Sequence, residues 1–131
     1  MKLGDYNELI IGRSSKIGLF LHDEEDNEVL LPNRYVPDSY EIGQSIRVFV
    51  YNDSEGRPIS TTLQPLATVN QFAVLECKDV SPIGAFLEIG IMKDLLVPKK
   101  NQNTPMRIGS KYLVWVYEDK LTERMVATAN L

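Results

Sequence analysis

The chain has 131 residues, 44% hydrophobic and 24% charged, an ordinary balance for a globular protein. A formal net charge of −4 excludes the basic footprint of a strong duplex-DNA binder, and a single cysteine, Cys77, excludes an intrachain disulfide. No stretch approaches the ~18 apolar residues of a membrane span and Met1-Lys2-Leu3-Gly4-Asp5 lacks the apolar run of a signal peptide, so a reducing, cytoplasmic setting without a membrane partner is expected.

In chain order, the first strand is expected at about 7–12, where Leu9 and Ile11 alternate with polar residues. A second is expected at 18–22 and a third at 28–32. A loop of about ten residues containing Pro37 follows, with room for one turn of helix. The fourth strand starts after Gly43 and runs through Val48 and Val50. A fifth, at about 58–62, is reached through Asn52-Asp53-Ser54-Glu55-Gly56, a hairpin turn.

The pattern then starts again. Strands are expected at 72–79, 84–89 and 94–98, then from Gly109 through Val114 and Val116, and at 124–128. The two halves align at a fixed offset of 66 residues. Ile17-Gly18-Leu19-Phe20-Leu21 returns as Ile83-Gly84-Ala85-Phe86-Leu87, and Leu30-Leu31-Pro32 as Leu96-Val97-Pro98. Val48-Phe49-Val50-Tyr51 returns as Val114-Trp115-Val116-Tyr117, and Asp53 as Asp119. A repeat of that period means two modules, 1–66 and 67–131, joined by a short junction that is not Gly/Ser-rich. Five short strands with the longest connection between the third and fourth give the expected fold: all-β, two tandem five-stranded barrels of the oligonucleotide-binding type.

Side chains alternate faces along a strand, so the valines of the fourth strand fill each barrel while Phe49, Tyr51, Trp115 and Tyr117 point outward. Outward aromatics either pack on a loop or the sister module, or form a base-stacking platform. The charge is uneven: residues 1–66 carry six bases against eleven acids (−5), residues 67–131 eight against seven (+1). The second module is therefore the better polyanion candidate.

Ile83-Gly84-Ala85-Phe86-Leu87, Leu96-Val97-Pro98, Ile108-Gly109, Val114, Val116, Asp119 and Arg124-Met125-Val126-Ala127 resemble the S-one RNA-binding domain. That family is a five-stranded oligonucleotide-binding barrel with two outward aromatics around a Gly on its second strand and Leu-Val-His at the end of its third. Both copies keep the Gly (Gly18, Gly84) and the second aromatic (Phe20, Phe86). Ile17 and Ile83 replace the first aromatic, and Pro32 and Pro98 the histidine, which reduces the stacking surface. Glu28-Val29-Leu30-Leu31-Pro32-Asn33-Arg34-Tyr35-Val36-Pro37, the run from Val48 to Ile59, and Lys93-Asp94-Leu95-Leu96-Val97-Pro98 resemble the conserved virulence factor B family of bacterial RNA-binding regulators. Its members have several S-one modules followed by a winged helix. The resemblance implies that this chain is the first two modules of such a regulator.

Single-stranded RNA is held by cations together with planar groups that stack on bases. The candidates in the second module are Phe86, Lys93, Lys99, Lys100, Arg107 and Arg124, with a solvated loop the competing account of Lys99 and Lys100. In the first module Phe20 and His22 share a strand face, with Arg34 near in sequence, opposed by the acidic turn from Asp23 to Glu28. That turn lacks the ligand spacing of a calcium loop, and one histidine cannot build a metal cluster or a histidine dyad. With no phosphate-cradling glycine motif and no nucleophile elbow, the expectation is a non-enzyme without metal or cofactor, whose partner is single-stranded RNA, bound mainly by the second module. The competing class is a protein-interaction scaffold, with the outward aromatics as anchors for a protein partner or for further carboxy-terminal domains.

Overall fold

The computed structural model describes residues 1–131, which divide into two compact units, Met1–Gln64 and Pro65–Leu131. The first holds β1 (Asp5–Ser14), β2 (Gly18–His22), β3 (Glu28–Pro32), β4 (Ser45–Asn52) and β5 (Pro58–Thr61). The second holds β6 (Gln71–Ser81), β7 (Gly84–Leu87), β8 (Leu95–Pro98), β9 (Lys111–Asp119) and β10 (Arg124–Thr128). Each is a closed barrel, ordered β1-β2-β3-β5-β4 and β6-β7-β8-β10-β9. Closure leaves no unpaired strand edge.

The period-2 pattern supplies the core. Leu9, Ile11, Leu19, Leu21, Val29, Leu31, Val48 and Val50 form the buried cluster of the first barrel. Moving each by 66 gives Leu75, Cys77, Ala85, Leu87, Leu95, Val97, Val114 and Val116, all buried. Each buried Leu or Val removes enough apolar surface from water to stabilise by ~1.5–3 kcal/mol, so the two cores are written by the same eight positions. Cys77 takes the place of Ile11 in this set, and burial pushes its thiol pKa up.

The first strand of each unit runs longer than its alternation suggests, because a bulge restarts the pairing. Register shifts between Ile11 and Arg13 in β1 and between Cys77 and Asp79 in β6, which lets one strand bend around the barrel and pair with two neighbours. The loop after β3 and β8 contains single 3-10 turns, Asn33–Tyr35 and Lys99–Asn101. Gly18 and Gly84 sit where β2 meets β3 and β7 meets β8. A Cβ on either would collide with the carbonyl oxygen of Leu31 or of Val97, so only glycine lets the strands approach.

The fourth-strand aromatics differ from expectation in one respect. They do alternate with the core valines, yet Phe49 is 0% exposed and Tyr51 is also buried. Phe49 packs edge-on to Tyr6 at 5.9 Å and stacks on Tyr51 at 5.9 Å. Alternation predicts direction, not exposure, and here outward-pointing rings are closed off from solvent. Their counterparts Trp115 and Tyr117 are half-buried.

Candidate nucleic-acid interface

The outer surface of β2–β3 carries the first group of candidate residues. Phe20 is half-buried and lies in register with Arg13 on β1 and Leu30 on β3. The Arg13 guanidinium carbon stands 3.9 Å from the Phe20 ring centroid, a stacked cation–π contact. Glu28 holds the guanidinium in place, with Nη2–Oε1 at 3.0 Å and Nε–Oε2 at 3.4 Å. His22 shares the strand face of Phe20 and pairs across the ladder with Ile10 and Glu28. Its ring occupies the space left by the missing side chain of Gly12: a Cβ there would stand 2.9 Å from His22 Cδ2. Arg34 lies on the 3-10 turn, its guanidinium carbon 5.7 Å from the Tyr35 ring. That turn is fastened to the β1–β2 loop by Asn33, whose backbone N–H donates to Ile17 O at 3.1 Å and whose side-chain amide donates to Lys16 O at 2.5 Å.

The acidic turn beside this face is an internally satisfied structure. Asp23 accepts from the backbone N–H groups of Glu25 and Asn27, at 3.0 and 2.9 Å, and from the Asn27 amide at 3.0 Å. It also pairs with the Met1 ammonium at 3.1 Å. The Asn27 side-chain hydrogen bond is the largest of the influences holding its carboxyl below the usual range, with the amino terminus adding to it. The second unit has no counterpart of this acidic run.

On β7–β8 the same scaffold carries different charges. Phe86, again half-buried, lies between Asp79 on β6 and Leu96 on β8. Asp79 stands where the first unit has Arg13. Lys78, at the bulge where the first unit has Gly12, bridges Glu88 and Asp94 at 3.2 Å each. These two carboxylates raise the Lys78 pKa. Lys78 in turn lowers that of Glu88, after the larger influence of the Gly90 N–H.

The remaining cations of the second unit fall into three places. Lys93 precedes β8, and Arg124 begins β10, which runs parallel to β8 with Val126 opposite Leu96. At the other end of β8, Lys99 and Lys100 are exposed on the 3-10 turn. Lys93 and Arg124 therefore lie at one end of the β7–β8–β10 surface and Lys99 and Lys100 at the other, with Phe86 and Leu96 between. Arg107 stands apart, on the loop that closes over β6 through Gly109 N–H to Cys77 O at 2.8 Å and Cys77 N–H to Ser110 O at 2.9 Å.

Sequence reasoning missed Arg13. The usable signal was the repeat itself: at an offset of 66 the residue facing the phenylalanine changes from Arg13 to Asp79. Alternation counted through an unbroken strand puts Arg13 on the core-facing side, with Leu9 and Ile11, and the bulge reverses that.

Residues 3–63 and 71–130 each match the S1 domain family. The uncharacterized protein YitL of Bacillus subtilis (strain 168) is 32% identical over 98 residues, covering 74% of this chain and 33% of YitL. A crystal structure of a multidomain protein with nucleic acid binding domains from Streptococcus pneumoniae TIGR4 is 18% identical, with a TM-score of 0.81 over 98% of this chain and 46% of that one. The chain thus spans about a third of the length of YitL and less than half of the pneumococcal protein. The structural likeness is one of fold.

Proposed function

The chain belongs to the S1 domain family, and from that membership we propose that it is a non-catalytic module that binds single-stranded RNA on the outer β2–β3 and β7–β8 surfaces. The observation that carries the reading is Phe20, half-buried on the outer face with the Arg13 guanidinium 3.9 Å from its ring. Planar rings and guanidinium groups are the surfaces on which unpaired bases stack, each stacked base being worth ~1–3 kcal/mol by alanine substitution. Phe86 repeats the ring at the same rung of the second barrel, and Lys93, Lys99, Lys100 and Arg124 bracket it with cations that can neutralise phosphates. His22 and Arg34 flank the first platform, while Arg107 contributes from outside the second.

The net charge of −4 fits a modest affinity set by a local surface rather than by a basic domain. The sequence resemblance to the conserved virulence factor B family supports a finer assignment: a bacterial post-transcriptional regulator acting in the cytoplasm by occupying an RNA. No helix is long and apolar enough to cross a membrane.

The test is fluorescence anisotropy of a labelled, unstructured RNA of ~15 nucleotides, titrated with the chain at low and high salt. Saturable binding that weakens with salt and is lost on Phe20→Ala/Phe86→Ala substitution is the expected result. Absence of binding at low salt overturns the reading. The competing class, a protein-interaction scaffold, is favoured by one observation, the exposed Phe72 beside Trp115. Binding through such apolar anchors is much less sensitive to salt than phosphate neutralisation is.

A further inference from the structure

The ladder between β6 and β9 presents an apolar strip that the first barrel does not have. Phe72 pairs with Trp115 and Val74 with Leu113 on its outer face. Phe72 is 62% exposed, Val74 62% and Leu113 51%, and Leu131, 65% exposed, joins Phe72 and Trp115 around a shallow hollow. Phe72 and Trp115 meet edge to face at 4.7 Å.

The first barrel is an internal control. At the rung of Val74 and Leu113 it carries Glu8 opposite Arg47. Glu8 accepts from Ser45 Oγ at 3.1 Å, and Arg47 lies 4.3 Å from the Tyr6 ring. The fold is thus completed with a charged pair at this rung, so the barrel does not require an apolar pair there. Contiguous exposed apolar residues on a small domain mark a contact surface. Lys111 is the one cation on the strip, and it stands in register with Glu76, which leaves no positive surface for a polyanion.

We propose that this face docks a second copy of the chain. A two-fold axis lying in the interface parallel to the strands sets β6 of one copy over β9 of the other with the rungs level. Phe72 then meets the partner's Trp115, Val74 meets the partner's Leu113, and Glu76 meets the partner's Lys111. The face is self-complementary in charge and pairs apolar rung with apolar rung, as a closed two-fold interface requires. Two apolar rungs and Leu131 fall short of the ~800 Å² per partner of a standard interface, so the dimer is weak and concentration-dependent.

Sedimentation equilibrium of the 131-residue chain over about 10 µM to about 1 mM reads the association directly. The expected result is a weight-average mass rising from that of the monomer toward twice that value. Val74→Glu/Leu113→Arg, which writes the first barrel's charged rung into the second, keeps the fold by circular dichroism and leaves the mass monomeric. Lys111→Glu weakens association at least tenfold by setting Glu76 against a carboxylate, and the double swap Glu76→Lys/Lys111→Glu restores it. A mass that stays monomeric throughout overturns the proposal. A dimer indifferent to Val74→Glu/Leu113→Arg, or a double swap that fails to rescue, overturns it as well.

Discussion

Arg13 and Asp79 occupy one structural position, the register partner of the outward phenylalanine, yet carry opposite charges. Arg13 stacks on Phe20, whereas Asp79 stands opposite Phe86. The barrels therefore share an outward phenylalanine but carry opposite charges beside it.

Exchanging these charges should redistribute affinity. Arg13→Ala is expected to lower RNA affinity by about 1–3 kcal/mol, the range of one stacked base. Asp79→Arg should raise affinity by adding a cation and a second planar group next to Phe86. Anisotropy titrations of both variants check the pair, and an Asp79→Arg variant no tighter than wild type counts against the β7–β8 surface.

In the proposed reading Lys99 and Lys100, exposed on the 3-10 turn, meet phosphates rather than bases. For a single strand each neutralised phosphate contributes about 0.7 to the slope of log affinity against log salt. Lys99→Ala/Lys100→Ala should flatten that slope by about 1.4, measured by repeating the titration at four or more salt concentrations. An unchanged slope returns these lysines to the solvated loop.

Gly18 and Gly84 test the architecture. Either glycine changed to Ala drives a Cβ into a carbonyl oxygen of the neighbouring strand, which the backbone relieves only by moving. A loss of more than about 2 kcal/mol is expected at each position, read from urea unfolding, with the two losses similar because the sites are copies.

The acid sensitivity of the turns follows from three carboxylates. Asp23, Asp53 and Asp119 are all held below the ordinary value of 3.8, chiefly by side-chain or backbone hydrogen bonds from Asn27, Arg57 and Thr122 respectively. A carboxyl whose pKa is lowered by folding contributes stability that is fully present above the unfolded value and is lost as pH falls through the folded value. The turns are thus expected to stay closed at pH 5 and to open only below the usual carboxylate range, and a carboxyl-carbon NMR titration reads each site. Asp23→Asn should free the amino terminus, seen as a rise in hydrogen exchange at Glu25 and Asn27.

The repeat made much of the fold legible. Hydrophobic alternation placed Leu9, Ile11, Val48 and Val50 indoors, and an offset of 66 carried the same pattern into the second barrel. The strand ends were less legible. The bulges at Gly12 and Lys78 carry β1 to Ser14 and β6 to Ser81, past the expected ends at 12 and 79, because pairing restarts after alternation breaks. At the candidate interface, the outward direction of Phe20 and Phe86 was readable because each lies two positions after the glycine of a repeated second-strand motif. The arrangement of cations was not, since it depends on which strands become neighbours.

The sequence by itself determined a tandem pair of five-stranded barrels, because side-chain alternation, turn residues and an internal repeat are local properties of the chain. Only the tertiary structure decided which charges meet. Closing the barrel brings Arg13 over Phe20 and onto Glu28, ties Lys78 between two carboxylates, and joins Asp23 to the amino terminus 22 residues away. It also closes Phe49 off from solvent while leaving Phe72 open at the matching rung pair. Electrostatic and stacking contacts reach only a few ångströms, so their partners are fixed by the register of strands distant in sequence, and that register exists only once the sheet has closed on itself.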